Sequence, residues 1–429
     1  MAGVGKRLLH GSAAPVVCAL AALWASPASA ESDLKLFSSD TLELIGDVRV
    51  TAVDGEKSWI DGGFGKLRSS GGRDDFRVRP QLGNVNLIWQ PQFTWSLSAV
   101  IVGSLQGGDR TDAGLSQAYL SFKPMRGSKV AFSARAGLMF PPVSLEHEGA
   151  DWHVKDSITP SAINSWIGEE VRPVAVEGTL AASFGQHKLR ATAAIFAAND
   201  TAGTLLTFRG WALHDTTTLA FHSQSLPPLG DDVGSYQAKF THPLLDVGPG
   251  FAHRPGYYAK LVWQPPIPVR FELFRYDNRA NPIDVDADME WGWHTQFNHL
   301  GAVADLGSGT ELKAQAIDGR TRMGFADGGR RWIDNRFRSA FVLLTHPFGP
   351  FGIAARAEAF GTRNRGSDVG SEYDETGWSA MLAGKREWGR ITGLIELLQV
   401  SSRRGNRVDA GLKPRQNQTQ LQAEARIRW

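Results

Sequence analysis

The chain has 429 residues with 46 Lys and Arg against 44 Asp and Glu, 47 Gly, 22 Phe, 14 Trp and a single Cys. Near-neutral charge without a basic tail excludes a nucleic-acid binder, and one thiol excludes disulfides and Cys-ligated zinc. A mean hydropathy of −0.23 looks soluble, but a β-barrel alternates apolar with polar positions and averages to the same value.

The first thirty residues read as a secretory signal peptide. Lys6 and Arg7 supply its positive start, AAPVVCALAALWA (13–25) is an apolar stretch too short to span a bilayer, and Ala28-Ser29-Ala30 is a cleavage site. Cys18 lies inside that stretch after Val17, so the mature chain is expected to carry no thiol and no lipid anchor. Loss of Lys6 and Arg7 leaves 44 basic residues, equal to the 44 acidic ones. No apolar run of eighteen follows, so helical spans are not expected in 31–429.

Beyond the leader the dominant signal has a period of two, which sends successive side chains to opposite faces of a strand. In chain order the segments are 42–54, 76–90, 93–106, 113–124, 129–139, 173–184, 187–197, 256–264, 267–277, 291–304, 310–320, 335–345, 349–360, 375–386, 390–402 and 418–429. In the fifth, Val130, Phe132, Ala134, Ala136 and Leu138 oppose Lys129, Ser133 and Arg135; in the last, Leu421, Ala423, Ala425, Ile427 and Trp429 oppose Gln422, Glu424, Arg426 and Arg428. Alternation slips at Gly83 and again near Phe274 to Tyr276, where a bulge or a strand end is expected. Very short connections (Gln90–Gln92, Met125–Ser128, 185–186, 265–266, 307–308, 347–349, 387–388) alternate with mostly long, polar ones (55–75, 140–172, 198–255, 278–290, 321–334, 361–374, 403–417).

These features specify an all-β, transmembrane, antiparallel up-and-down β-barrel of sixteen strands, with periplasmic turns on one side and outer loops on the other. An even count brings the first strand beside the last and removes both edges. If TLLTFRGWAL and TTLAFHS inside 198–255 also crossed, the count would be eighteen. LIWQP (87–91) and LVWQP (261–265) each place a Trp before a short turn, where an interfacial girdle would sit, with Trp388 and Trp429 at the same end.

A barrel of this size leaves an aqueous lumen. The connection 141–172 is long without being low in complexity, so it is expected to fold inward as a constriction, carrying Glu146, Glu148, Asp151, Lys155, Glu169, Glu170 and Arg172, with His147, His153 and Asp156 among them. The inward wall is expected to carry Arg49, Arg77, Arg79, Arg135, Lys188, Arg190, Lys260, Arg270, Lys313, Arg356, Arg426 and Arg428, against Glu43, Asp47, Glu177, Glu272, Glu311, Glu358, Glu396 and Glu424. On the lipid side each such cation would cost about 2 to 4 kcal/mol at the midplane. Rings of Arg and Lys favour anions, so a weak anion preference is expected, although many of these cations can also simply pair with carboxylates across strands.

No cofactor, metal or catalytic residue is expected. His294 with His299, or His214 with His222, has no nucleophile motif beside it, and the alternate carboxylates Asp284, Asp286, Asp288 and Glu290 lack the spacing of a calcium loop and read as a solvated outer loop bridged to lipopolysaccharide.

GLMFPPVSLE (137–146), SAINSWIGEE (161–170), RYDNR (275–279) and AQAIDGRT (314–321) resemble the Gram-negative outer-membrane porin superfamily, especially its phosphate-selective-porin-like branch. The resemblance implies passive diffusion of small hydrophilic solutes through a trimeric outer-membrane channel, and the terminal Trp429 resembles the aromatic read by the barrel-assembly machinery. Phosphate-selective members use a lysine-lined path, whereas residues 31–429 hold only 12 Lys against 32 Arg. Arg also binds small anions through its planar fork.

Overall fold

A computed structural model describes residues 34–69, 76–107, 111–124, 129–248 and 254–429. The expected signal peptide (1–30) and the Met125–Ser128 turn lie outside the described residues. Sixteen antiparallel strands close into one barrel. They are β1 (Leu42–Val53), β2 (Arg77–Trp89), β3 (Leu97–Gln106), β4 (Asp112–Phe122), β5 (Val130–Leu138), β6 (Val174–Phe184), β7 (His187–Ala197), β8 (Gly256–Gln264), β9 (Val269–Asp277), β10 (His294–Gly307), β11 (Thr310–Asp327), β12 (Arg330–Phe348), β13 (Phe351–Asn364), β14 (Glu375–Trp388), β15 (Ile391–Arg404) and β16 (Arg415–Arg428). Each pairs with its neighbour in sequence, and β1 pairs with β16 from Ile45 opposite Arg428 to Val53 opposite Gln420, which uses both edges of the sheet.

Alternation sorts the side chains between two surroundings. Val48, Leu180, Leu261, Leu273, Leu300, Val342 and Leu421 are exposed on the outer surface, while Asp47, Arg49, Glu177, Glu272, Lys313, Arg356 and Glu424 are buried inside. At the short-turn end Phe184, Trp263, Phe348, Phe351, Trp388 and Trp429 stand exposed on the outside, as an interfacial girdle requires. No helix among the described residues is long and apolar enough to cross a membrane.

The slip at Gly83 is a bulge, with two residues of β2 opposing Asp47 of β1. Glycine is required there because a Cβ would sit 1.6 Å from Asp47 Oδ1. Two expectations are corrected. The eighteen-strand alternative fails because TLLTFRGWAL forms a short helix, α2 (Thr204–Phe208), whose Leu206 lies with Trp211 in an apolar cluster inside the barrel, and TTLAFHS forms no strand. The loop expected at 321–334 is absent: β11 and β12 run on and meet through Gly328 and Gly329, both at positive φ (54° and 79°), as a tight hairpin turn requires. Near Phe274 to Tyr276 there is no bulge, and of the two alternatives the strand end is the one found, at Asp277. Glu272, Phe274 and Tyr276 all point inward, and the two aromatics interrupt the polar pattern because they pack against chain that fills the lumen.

Candidate functional site: the lumen

Three connections turn into the barrel. The first, between β5 and β6, contains helix α1 (Ala162–Glu170), every residue of which is buried. Ser161 caps α1 by accepting from the Asn164 N–H at 3.4 Å. The wall holds this segment through charge. Arg356 of β13 donates to Glu146 at 2.7 Å and to the Thr159 and Pro160 carbonyls, and Glu146 also accepts from the Ser161 hydroxyl and the Asn164 amide, each at 2.5 Å. Glu396 accepts the Ile158 and Thr159 N–H groups, and Glu358 accepts the Ala162 N–H. Burial alone would raise Glu146; Arg356 and the Ser161 and Asn164 bonds more than reverse it and hold the carboxyl below its ordinary range.

The second segment carries α2 and covers α1. Arg209 grips Glu169 in a bidentate pair of 2.6 and 2.7 Å, and His214 Nε2 lies 3.1 Å from the same carboxylate. Burial opposes ionisation of Glu169, but Arg209 and His214 prevail and lower it. Its neighbour Glu170 accepts from the Trp166 indole (2.6 Å) and the Leu205 N–H (2.9 Å), yet burial dominates and pushes it up to about 7. The third segment, before β2, brings Lys66 against Glu375, and its Leu67 bridges Leu213 of the second.

These segments divide the lumen into two sides. On the β8–β15 side, Trp166, Trp211, Phe274, Tyr276, Phe297, Phe337 and Leu398 form one buried cluster, with Trp166 edge-on to Trp211 and Phe297. On the β1–β3 and β16 side there is a polar cavity of about 50 Å³, room for a few waters. Its wall supplies Asp47, Arg49, Asn84, Asn86 and Arg426; the inward segments supply His147, Asp151, His153 and Asp215. Arg49 lies 2.6 Å from Asp47 and 3.0 Å from both Asp215 and Glu424, and Arg68 lies 2.8 Å from Asp215. Burial opposes ionisation of Asp215, but Arg49 and Arg68 outweigh it and lower its carboxyl well below the usual range. His147 stacks on Trp152 at 3.6 Å and is pushed down to about 3, chiefly by burial, so it is neutral. Burial also opposes protonation of His153, but hydrogen bonds to Asp151 and Glu148 overcome it and raise the imidazole.

The twelve wall cations sit on the inward face, and most are neutralised there. Arg49, Arg135, Lys260, Arg270, Lys313, Arg356, Arg426 and Arg428 each have a carboxylate within 3.2 Å. Arg77, Lys188 and Arg190 have no carboxylate partner among the described residues, and Arg79 pairs its face with Thr51. Of the constriction-loop residues, Glu148 and Lys155 are exposed and 3.7 Å apart, Asp151 contacts His153, and Asp156 bridges Lys313 and Lys385. Arg172 is buried over the Phe140 ring, and burial lowers it to about 9. Sequence reasoning missed Arg68, Lys66, Arg209, Asp215, Glu375 and Arg404. All but the half-buried Asp215 are buried, and their partners lie far away in the chain, as for Arg68 with Asp215. The one available signal was the apolar content of LLTFRGWAL, excessive for a solvated loop.

Among the described residues, the imidazoles of the candidates His294, His299, His214 and His222 hydrogen-bond no Ser, Thr or Cys side chain. His294 bonds Asp277 at 3.0 Å and Arg322, His299 is buried beside Phe274, and His222 lies 3.9 Å from Asp112.

No family model matches the chain, and neither does any curated protein sequence. Solved structures do match. An anion-selective porin from Comamonas acidovorans superposes with TM-score 0.53 at 11% identity, covering 91% of this chain and 99% of that one. The outer membrane channel DcaP of Acinetobacter baumannii gives 0.54 at 13%, covering 92% and 99%. The chain has the porin fold. At these identities the likeness is one of architecture.

Proposed function

We propose that this protein is an outer-membrane channel through which small hydrophilic solutes pass by diffusion, with a weak preference for anions and no enzymatic activity. The observation that carries the reading is the division of residues around a sealed cylinder. Leucines, valines and an aromatic girdle face out, and a charged wall bound to an inward-folded segment faces in. Such a surface is matched to hydrocarbon outside and water inside.

In this reading solutes take the β1–β3 and β16 side, where the small polar cavity lined by Arg49, Arg426, His153 and Asp215 supports the choice of route. Because eight of the twelve wall cations are paired, anion preference comes mainly from Arg77, Lys188 and Arg190 and is small. The packed aromatic side favours a second, narrower reading, a substrate-specific channel over a wide general pore. Export by a cleaved leader at 1–30, assembly as a homotrimer, insertion by the barrel-assembly machinery and contact with lipopolysaccharide belong to the same reading. The test is planar-bilayer recording on the refolded protein. Discrete conductance steps with a reversal potential slightly on the anion side support the reading, and the absence of any steps refutes it.

A further inference from the structure

The outward face of β9–β13 changes character abruptly along its length. Nearest the short turns it is apolar, with Leu273, Leu300, Ala316 and Ala340 in one hydrogen-bonded row. One step further from the periplasmic turns, the next row reads Arg275, Asn298, Asp318 and Arg338, and the one beyond it Asp277, Gln296, Arg320 and Arg336. Above these rows the β11–β12 hairpin closes a cleft of about 500 Å³ lined by Arg320, Arg322, Arg330, Arg331, Arg365 and Asp334.

Five arginines line this cleft beside a single lining carboxylate. Asp334 is already used by Arg320, in a bidentate pair of 2.5 and 2.5 Å. Among the described residues, Arg330 donates to the carbonyls of Arg365 and Gly366, Arg331 donates to that of Gly324, and neither has a carboxylate partner. Arg322 bonds His294, and its Nε is buried with no acceptor among the described residues. Carbonyls hold Arg330 and Arg331 in place without neutralising them. The cleft therefore keeps a surplus of roughly four positive charges in a forked array suited to phosphate oxygens. It faces away from the lumen, and its position just beyond the outward apolar rows puts it at the depth of lipid headgroups.

We propose that this cleft binds the phosphate groups of a phosphorylated lipid of the outer leaflet, with the acyl chains lying on the Leu300, Ala316 and Ala340 surface below. This rests on the outer-membrane reading, which supplies the leaflet. Each arginine near a charged membrane surface is worth about fivefold in affinity.

The test uses the full chain in nanodiscs doped with a bis-phosphorylated glycolipid or with its dephosphorylated counterpart, reading bound lipid by native mass spectrometry and single-channel conductance in parallel. The wild type is expected to retain the phosphorylated lipid selectively. Arg322→Gln with Arg331→Gln should lose it by about twenty-fivefold while conductance stays unchanged, and Arg403→Gln on the outward face of β15 should leave both unaltered. Equal retention of the two lipids, equal retention by the double variant, or binding of inorganic phosphate as tight as that of the lipid would overturn the proposal. Loss of conductance in the wild type would instead break the channel reading, so the two failures are distinguishable. A double variant that fails to fold would show no conductance. Arg322→Lys with Arg331→Lys, which keeps charge without the fork, is then read in its place and should retain lipid more weakly than wild type; retention equal to wild type overturns the forked-array claim.

Discussion

The two sides of the lumen share one strand geometry and differ in everything built on it. Inward positions on β9–β15 carry Phe274, Tyr276, Phe297, Phe337, Leu398 and Val400, which share one cluster with Trp166 and Trp211 of the inward segments and are almost wholly buried. Inward positions on β1, β2 and β16 carry Asp47, Arg49, Asn84, Glu424 and Arg426, and hold a small polar cavity against His147 and Asp215. Facing inward is therefore not the same as facing water. What stands opposite decides, and an apolar plug turns one wall into a protein core.

The strongest way to break this contrast is to remove the apolar filling. Replacing Thr204–Trp211 with a Gly/Ser stretch of equal length strips Leu206 and Trp211 from the cluster. Single-channel conductance is expected to rise severalfold, whereas an unchanged conductance would mean that current does not pass beside this plug. Next in size, Arg356→Met leaves Glu146 buried without its cation, at a cost of about 3–5 kcal/mol. The expected outcome is release of the first segment, read as faster trypsin cleavage at Lys155, with Glu146→Gln restoring most of the protection.

Acidity separates the two sides with opposite signs. Glu170 in the packed side is pushed up to about 7 by burial. The folded state thus holds a proton that the unfolded chain releases near 4.3, and stability falls as pH rises through that window. His147 on the polar side is pushed down to about 3 by burial, so the unfolded chain takes up a proton first and stability falls as pH drops below about 6.5. Thermal unfolding across pH 4 to 8 should lose its alkaline decline in Glu170→Gln and its acidic decline in His147→Phe; a wild-type slope retained in either variant contradicts that assignment. The smallest effect is selectivity. Lys188→Glu with Arg190→Glu removes inward cations that have no carboxylate partner among the described residues and should move the reversal potential toward cations, while Arg270→Gln, whose charge is matched by Glu272, should move it less.

How much of this was legible in the sequence depends on the range of the interaction. Strand number, short-turn placement and the inward parity of Arg49, Arg356 and Arg426 follow from a local period of two. The tip of the β11–β12 hairpin was misread as a loop because its outward residues Arg322 and Asp334 are polar where membrane strands are apolar. The second inward segment hid for the opposite reason. Its residues obey no strand period, and its partners Glu169, Glu375 and Arg404 lie tens to hundreds of residues away. Wall and plug charges could be listed from the sequence, but which of them cancel could not.

Planar-bilayer recording of the wild type beside the variant lacking the Thr204–Trp211 side chains probes the narrowed lumen most directly. The account requires small, slightly anion-preferring steps that become large when the plug is emptied. Wide ohmic steps in the wild type, unaltered by that replacement, would show that the aromatic side of the lumen is not closed and that solutes cross by another route.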